Sequence, residues 1–225
     1  MDEPQFSIDL TPAATHALTR LQPTPSGKRG VHLRTVTPLQ QWSQALDGEQ
    51  LAAHLDIALP VFPVLTARGY RTSYRSREGA QVFEHPVPST SRPPAPTDPG
   101  SNSHSVLIVN VADGVDPGTV TLTDAGSLGV GWMQLNYGPP QKQRSPEEAA
   151  EIAALEALPR PDLTRLAFRD GTPIWVVRSL EEQTTAGWRC TVKDAIFTVT
   201  VVLPLPPLQA VQAIANTPGI PLQPR

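Results

Sequence analysis

Residues 174–203 read IWVVRSLEEQTTAGWRCTVKDAIFTVTVVL, and the fold class turns on them. The runs 174–179, 188–192 and 196–203 are rich in β-branched and aromatic residues, and polar segments carrying charge or glycine separate them. Such residues fit a pleated, half-buried surface, so the stretch predicts three strands in succession. Directly after it, Leu208, Val211 and Ile214 recur at helical spacing and predict a helix that stops near Asn216, ahead of Pro218 and Gly219.

Upstream, the same chemistry predicts strands over residues 5–10, 30–36, 64–74, 81–84, 106–111, 119–123 and 129–137. Three helix starts share one device, a hydroxyl residue followed by proline: Thr11 and Pro12, Thr37 and Pro38, Ser145 and Pro146. The hydroxyl can cap free amides, and proline has no amide proton to leave unsatisfied in the first helical turn. Glu148 after Ser145 and Gln40 after Thr37 complete capping boxes. The helical faces read Ala14, Leu18 and Leu21, then Leu39, Trp42 and Leu46; Asp47 and Gln50 cap a further short helix through Leu51 and Leu55. After Ser145, the string EEAAEIAALEAL places acids in the first turn, where the helix dipole favours them, and a stripe of Ile152 and Leu155 behind. Short capped helices among runs of hairpins specify an α+β protein with mainly antiparallel sheets.

The string HPVPSTSRPPAPTDPGSNSHS from His85 carries six prolines between residues 86 and 99 and little to bury. It reads as a linker or an exposed loop over 86–105, between an N-terminal α+β lobe, 1–85, and a C-terminal α+β lobe, 106–225. Two strings recur in order: LTRL at 18–21 and 163–166, then RGYRTS at 68–73 and AGWRCT at 186–191. Their recurrence raises a pair of pseudo-repeated strand-helix-hairpin units, with coincidence in a biased composition as the competing account.

At 225 residues and 39% hydrophobic, the chain is long enough to bury a sizeable core. Its net charge of −3, spread along the sequence, supplies no global field for nucleic acid or an anionic membrane. The opening thirty residues lack the apolar run of a secretory signal, and the best apolar run, 196–203, is far short of the roughly 20 residues of a spanning helix. One cysteine, Cys190, precludes an internal disulfide, so the expectation is a cytoplasmic protein without membrane contact. Fifteen arginines against three lysines, beside 26 prolines, fit a GC-rich bacterial genome.

Motifs for chemistry fail when tested. PSGKRG at 25–30 has Gln22 and Arg29 where a phosphate loop needs glycine and a hydroxyl, and it precedes a strand instead of a helix. SLGVGWMQ has Gln134 where a dinucleotide fingerprint needs its third glycine. DGVDPG, residues 113–118, has the composition of a hairpin turn and too few oxygen ligands for calcium. The histidines at 16, 32, 54, 85 and 104 never fall at metal-ligand spacing, and Cys190 in a strand reads as buried and inert. No catalytic residue, metal ligand or cofactor site is therefore assigned.

One pattern stands out. In ARGYRTSYRSREG, alternation puts Arg71, Ser73, Arg75 and Arg77 on one face of a strand and Tyr70, Thr72 and Tyr74 on the other, with Arg68. Arg71, Arg75 and Arg77 with Tyr70 and Tyr74 form a candidate face for an anionic group or a partner; the competing account is a solvated face that discourages edge pairing. The expectation for function is a non-enzymatic interaction protein of adaptor, chaperone or inhibitor type with a protein partner. The alternatives are an enzyme whose site is assembled from scattered residues, and an anion or nucleic-acid binder acting through an Arg68–Arg77 hairpin.

Overall fold

In the computed structural model, eight strands join in one antiparallel sheet. The structure describes residues 8–24, 44–46, 48–78, 104–111, 131–138, 145–157, 160–193, 195–217, 219–220 and 222. The strands are β1 (Gln44–Leu46), β2 (Arg71–Glu78), β3 (His104–Val111), β4 (Gly131–Gly138), β5 (Leu163–Ala167), β6 (Pro173–Leu180), β7 (Gln183–Val192) and β8 (Ala195–Leu203). The helices are α1 (Pro12–Arg20), α2 (Gly48–Leu55), α3 (Pro63–Thr66), α4 (Pro146–Ala157) and α5 (Pro207–Ala215). Helices and antiparallel strands together make the α+β class expected from the sequence.

The strand order is β1-β2-β3-β4-β8-β7-β6-β5. The chain lays down four neighbouring strands, crosses to the far edge, and returns through four more until β8 meets β4 at the centre. Each set of four is followed by a helix, α4 after β4 and α5 after β8. β2 and β3, on the two sides of the proline-rich segment, pair directly through eight residues each. Residues 86–103 of that segment lie outside the described residues.

Alternation along the strands sorts the sheet into two faces. One carries Met133 and Leu135 of β4, Ile174 and Val176 of β6, Ala186 and Trp188 of β7, and Phe197, Val199, Val201 and Leu203 of β8. These residues are buried in one cluster with Leu18 of α1, Leu51 and Leu55 of α2, Leu65 of α3 and Val211 and Ile214 of α5. Burying a side chain of that size is worth about 1.5–3 kcal/mol, so this cluster outweighs the hydrogen-bond gain of any single turn or cap. Phe168 meets Trp188 edge to face, ring centroids 5.3 Å apart, and pairs with Ile8 across an isolated bridge that ties the N-terminal segment to the sheet.

Thr11 caps α1 through its Oγ1, which accepts from the Ala14 amide at 3.1 Å. Four expectations require correction. The strand expected over 64–74 begins at Arg71, because Pro63 opens α3: Phe62 O accepts from the Leu65 and Thr66 amides, and Gly69, at φ +80°, reverses the chain. Leu46, expected on a helical face, sits in β1 opposite Tyr74, so strand pairing overrides the local period. The strand expected at 188–192 starts at Gln183, whose polar neighbours are stabilised by ladder bonds to β6 and β8. The LTRL strings fall in different elements, residues 18–20 in α1 and 163–166 in β5, and therefore do not mark equivalent positions. The strands expected over 30–36, 81–84 and 119–123, and the Thr37 cap, lie outside the described residues.

Candidate functional site

Polar groups converge most densely where the segment after α1 crosses the ends of β5 and β6. Asp162 is buried, and its carboxylate accepts from Arg160 Nε at 3.0 Å and Nη2 at 2.6 Å, and from Thr24 Oγ1 at 2.8 Å. Burial raises the Asp162 carboxyl, but the hydrogen bonds from Arg160 and Thr24 and the Arg160 charge outweigh it and leave the group below its ordinary value. The Thr24 amide donates to Arg178 O at 2.9 Å, and Arg178 Nη1 donates to Leu21 O at 2.9 Å. Arg178 Nη2 also pairs with the Glu181 carboxylate at 2.7 Å. These bonds fasten residues 21–24 to the sheet, which is structural work.

Cys190 lies in β7, and burial pushes its thiol up to about 11. It is protonated at neutral pH and is no nucleophile there. Among the described residues, no group of three His, Cys, Asp or Glu side chains is placed to hold a metal ion. Among them too, Val61 and Leu180 are the large apolar side chains left exposed.

The candidate residues on β2 divide as alternation requires. Arg71, Arg75 and Arg77 share one face of β2. Tyr74 belongs to the other face, in a row with Leu46, Ile108, Met133 and Val201, and Tyr70 precedes the strand, half-buried and packed against the core. The structure therefore brings the three arginines together and separates both tyrosines from them. Arg68 lies in the exposed turn after α3. β2 pairs with β3 along its whole length and with β1 at residues 74–76, so Arg75 has a strand on each side while Arg71 and Arg77 pair with β3.

Register extends the arginine face across the molecule. One row runs Arg77, Ser105, Asn136, Thr198, Arg189 over β2, β3, β4, β8 and β7. The next runs Arg75, Leu107, Gln134, Thr200, Gly187, Trp175, Arg165 as far as β5. Each row has an arginine at both ends. Arg165 and Arg189 are exposed, Thr198 and Trp175 are half-buried, and Thr200 and Gly187 are buried. The only carboxylate in any of the eight strands is Glu78, which lies on the core face, so this face carries five arginines and no strand carboxylate. Arg165 and Arg189 escaped the sequence reading because each stands alone in its strand; only strand order aligns them with Arg75 and Arg77.

No protein-family model, curated protein or solved structure matches the chain.

Proposed function

We propose that this is a non-enzymatic bacterial interaction protein of adaptor, chaperone or inhibitor type, acting in the cytoplasm on a larger protein partner through the β2 arginine face. One observation supports this reading: Arg71, Arg75 and Arg77 fall on one face of β2, a strand that pairs with β3 along its whole length and with β1 at residues 74–76. Planar, always-charged groups on one face suit an anionic partner. Tyr70, just before the strand, packs against the core. We read the chain as two pseudo-repeated strand-helix-hairpin units; the strand order, with β4 and β8 as the central pair and a helix after each, supports this, while α2 and α3 between β1 and β2 have no counterpart between β5 and β6. No helix among the described residues is long and apolar enough to cross a membrane.

The test is affinity capture from the native host with wild type and with Arg71→Gln/Arg75→Gln/Arg77→Gln, followed by mass spectrometry. The expected result is a partner recovered in near-stoichiometric amount with wild type and lost with the triple variant. Retention of the same partner by the variant would overturn the assignment of this face.

A further inference from the structure

We infer that α4 is an autoinhibitory cover: it crosses the sheet on the face opposite the core, sets its acidic side against Arg165 and Arg189, and withholds both from the partner; this rests on the binding role proposed above. The connection from β4 to β5 decides the face. These two strands run parallel, because every neighbouring pair between them is antiparallel, and α4 is the helix that joins them. Crossovers between parallel strands of one sheet are right-handed in about 98% of cases. Phe168 ties hand to face: it is buried in the core beside Trp188, and its amide donates to Thr172 O, on the side of β6, at 2.9 Å. For an L-residue on an upward strand with its side chain toward the viewer, the peptide groups point right. Seen from the core, β6 therefore lies to the right of β5, and β5 to the left of β4. A right-handed path from β4 leftward to β5 runs behind the sheet, on the face opposite the core.

Burial agrees with this path. The core face is occupied by α1, α2, α3 and α5, whereas the opposite face is buried over the strands that α4 has to pass: Thr200 and Val202 on β8, Thr185 and Gly187 on β7, Val177 on β6. The 12 residues of α4 span about 18 Å. That is close to the roughly 20 Å from Ile196, level with the end of β4, to Val202, level with the start of β5. Pro146, Glu147, Ala149, Ala150, Ala153 and Ala154 are exposed, and the helical period puts Glu148, Glu151, Ile152 and Leu155 together on the other side. Two acids and two apolar residues on the helix answer Arg165, Arg189, Val177 and Val202 on the sheet face. Ion pairs of this kind near solvent are weak, so an acidic partner that engages the β2 arginines can displace α4 and gain two more.

The experiment measures affinity for poly-glutamate at low salt, with each protein checked by circular dichroism. Glu148→Gln/Glu151→Gln is compared with Glu147→Gln/Glu182→Gln, which changes net charge equally at two exposed positions outside the contact. The expected result is that the first variant binds roughly fivefold tighter than the second, and that adding Arg165→Gln/Arg189→Gln to the first removes the difference. Equal affinity of the two charge-matched variants overturns the inference. If a variant fails to fold, cross-linking decides in a Cys190→Ser background, which removes the one native cysteine. A short bismaleimide should bridge Glu151→Cys to Arg189→Cys, and bridging instead to Gln212→Cys on α5 would put α4 on the core side and overturn the inference. Failure here while the β2 triple variant still loses its native partner leaves the proposed function standing; retention of the partner by that variant is failure of the function itself.

Discussion

Asp56 and Lys193 form an ion pair, and each occupies left-handed backbone, at φ 55° and 52°. Asp56 directly follows α2, and Lys193 sits in the turn between β7 and β8, so the pair joins the N-terminal half to the last hairpin of the sheet. Left-handed geometry costs an L-residue roughly 1–2 kcal/mol, whereas an exposed ion pair returns about 0–1 kcal/mol. Backbone closure of the turn, and not the charge, therefore fixes Lys193.

Changing Lys193 to Gly should accordingly leave stability within about 0.5 kcal/mol of wild type, because relief of strain offsets the lost pair and the added chain entropy. Lys193→Val should cost about 1–2 kcal/mol, since a β-branched residue is poorly tolerated there. Chemical denaturation of both variants checks this. A loss in the glycine variant as large as in the valine variant would show that the ion pair, and not the turn, is what matters.

The Asp162 cluster predicts a stronger effect. Asp162→Ala removes the buried carboxylate that accepts from Arg160 and from Thr24 Oγ1, at an expected cost of about 3 kcal/mol. The folded carboxyl lies below its ordinary value, so its contribution is present above the unfolded value near 4 and is lost as pH falls through the folded value. Wild type should lose this increment on acidification below about pH 4, and Asp162→Asn should not. Parallel acid-denaturation slopes for the two proteins would exclude the assignment.

Cys190 should resist alkylation. With its thiol held up at about 11, the thiolate is scarce at pH 7–8, and modification by iodoacetamide should run at least about tenfold slower in the native protein than in the same chain unfolded in urea. Equal rates under native and denaturing conditions would mean that the thiol is neither shielded nor shifted.

Gly219 shows how the tail closes on the N-terminal half. It stands at φ +80°, and a Cβ there would meet Ala58 O at 3.2 Å, so close backbone contact and left-handed geometry together require glycine. Nothing in the sequence around Gly219 names Ala58 as its neighbour; the glycine reads there only as punctuation after a helix.

The amino-acid sequence by itself determined what local chemistry can determine. Thr11 before Pro12 starts a helix because the capping bond spans three residues, and the 196–203 run is a strand because its branched side chains favour extended backbone. The alternation of Arg71, Arg75 and Arg77 follows from the two-residue repeat of a strand. Strand neighbours are another matter. That β8 returns to β4, that Leu46 pairs with Tyr74 and that Arg189 shares a row with Arg77 are decided by which arrangement buries the largest apolar surface with all ladder bonds made, a comparison among whole folds that no window of sequence contains.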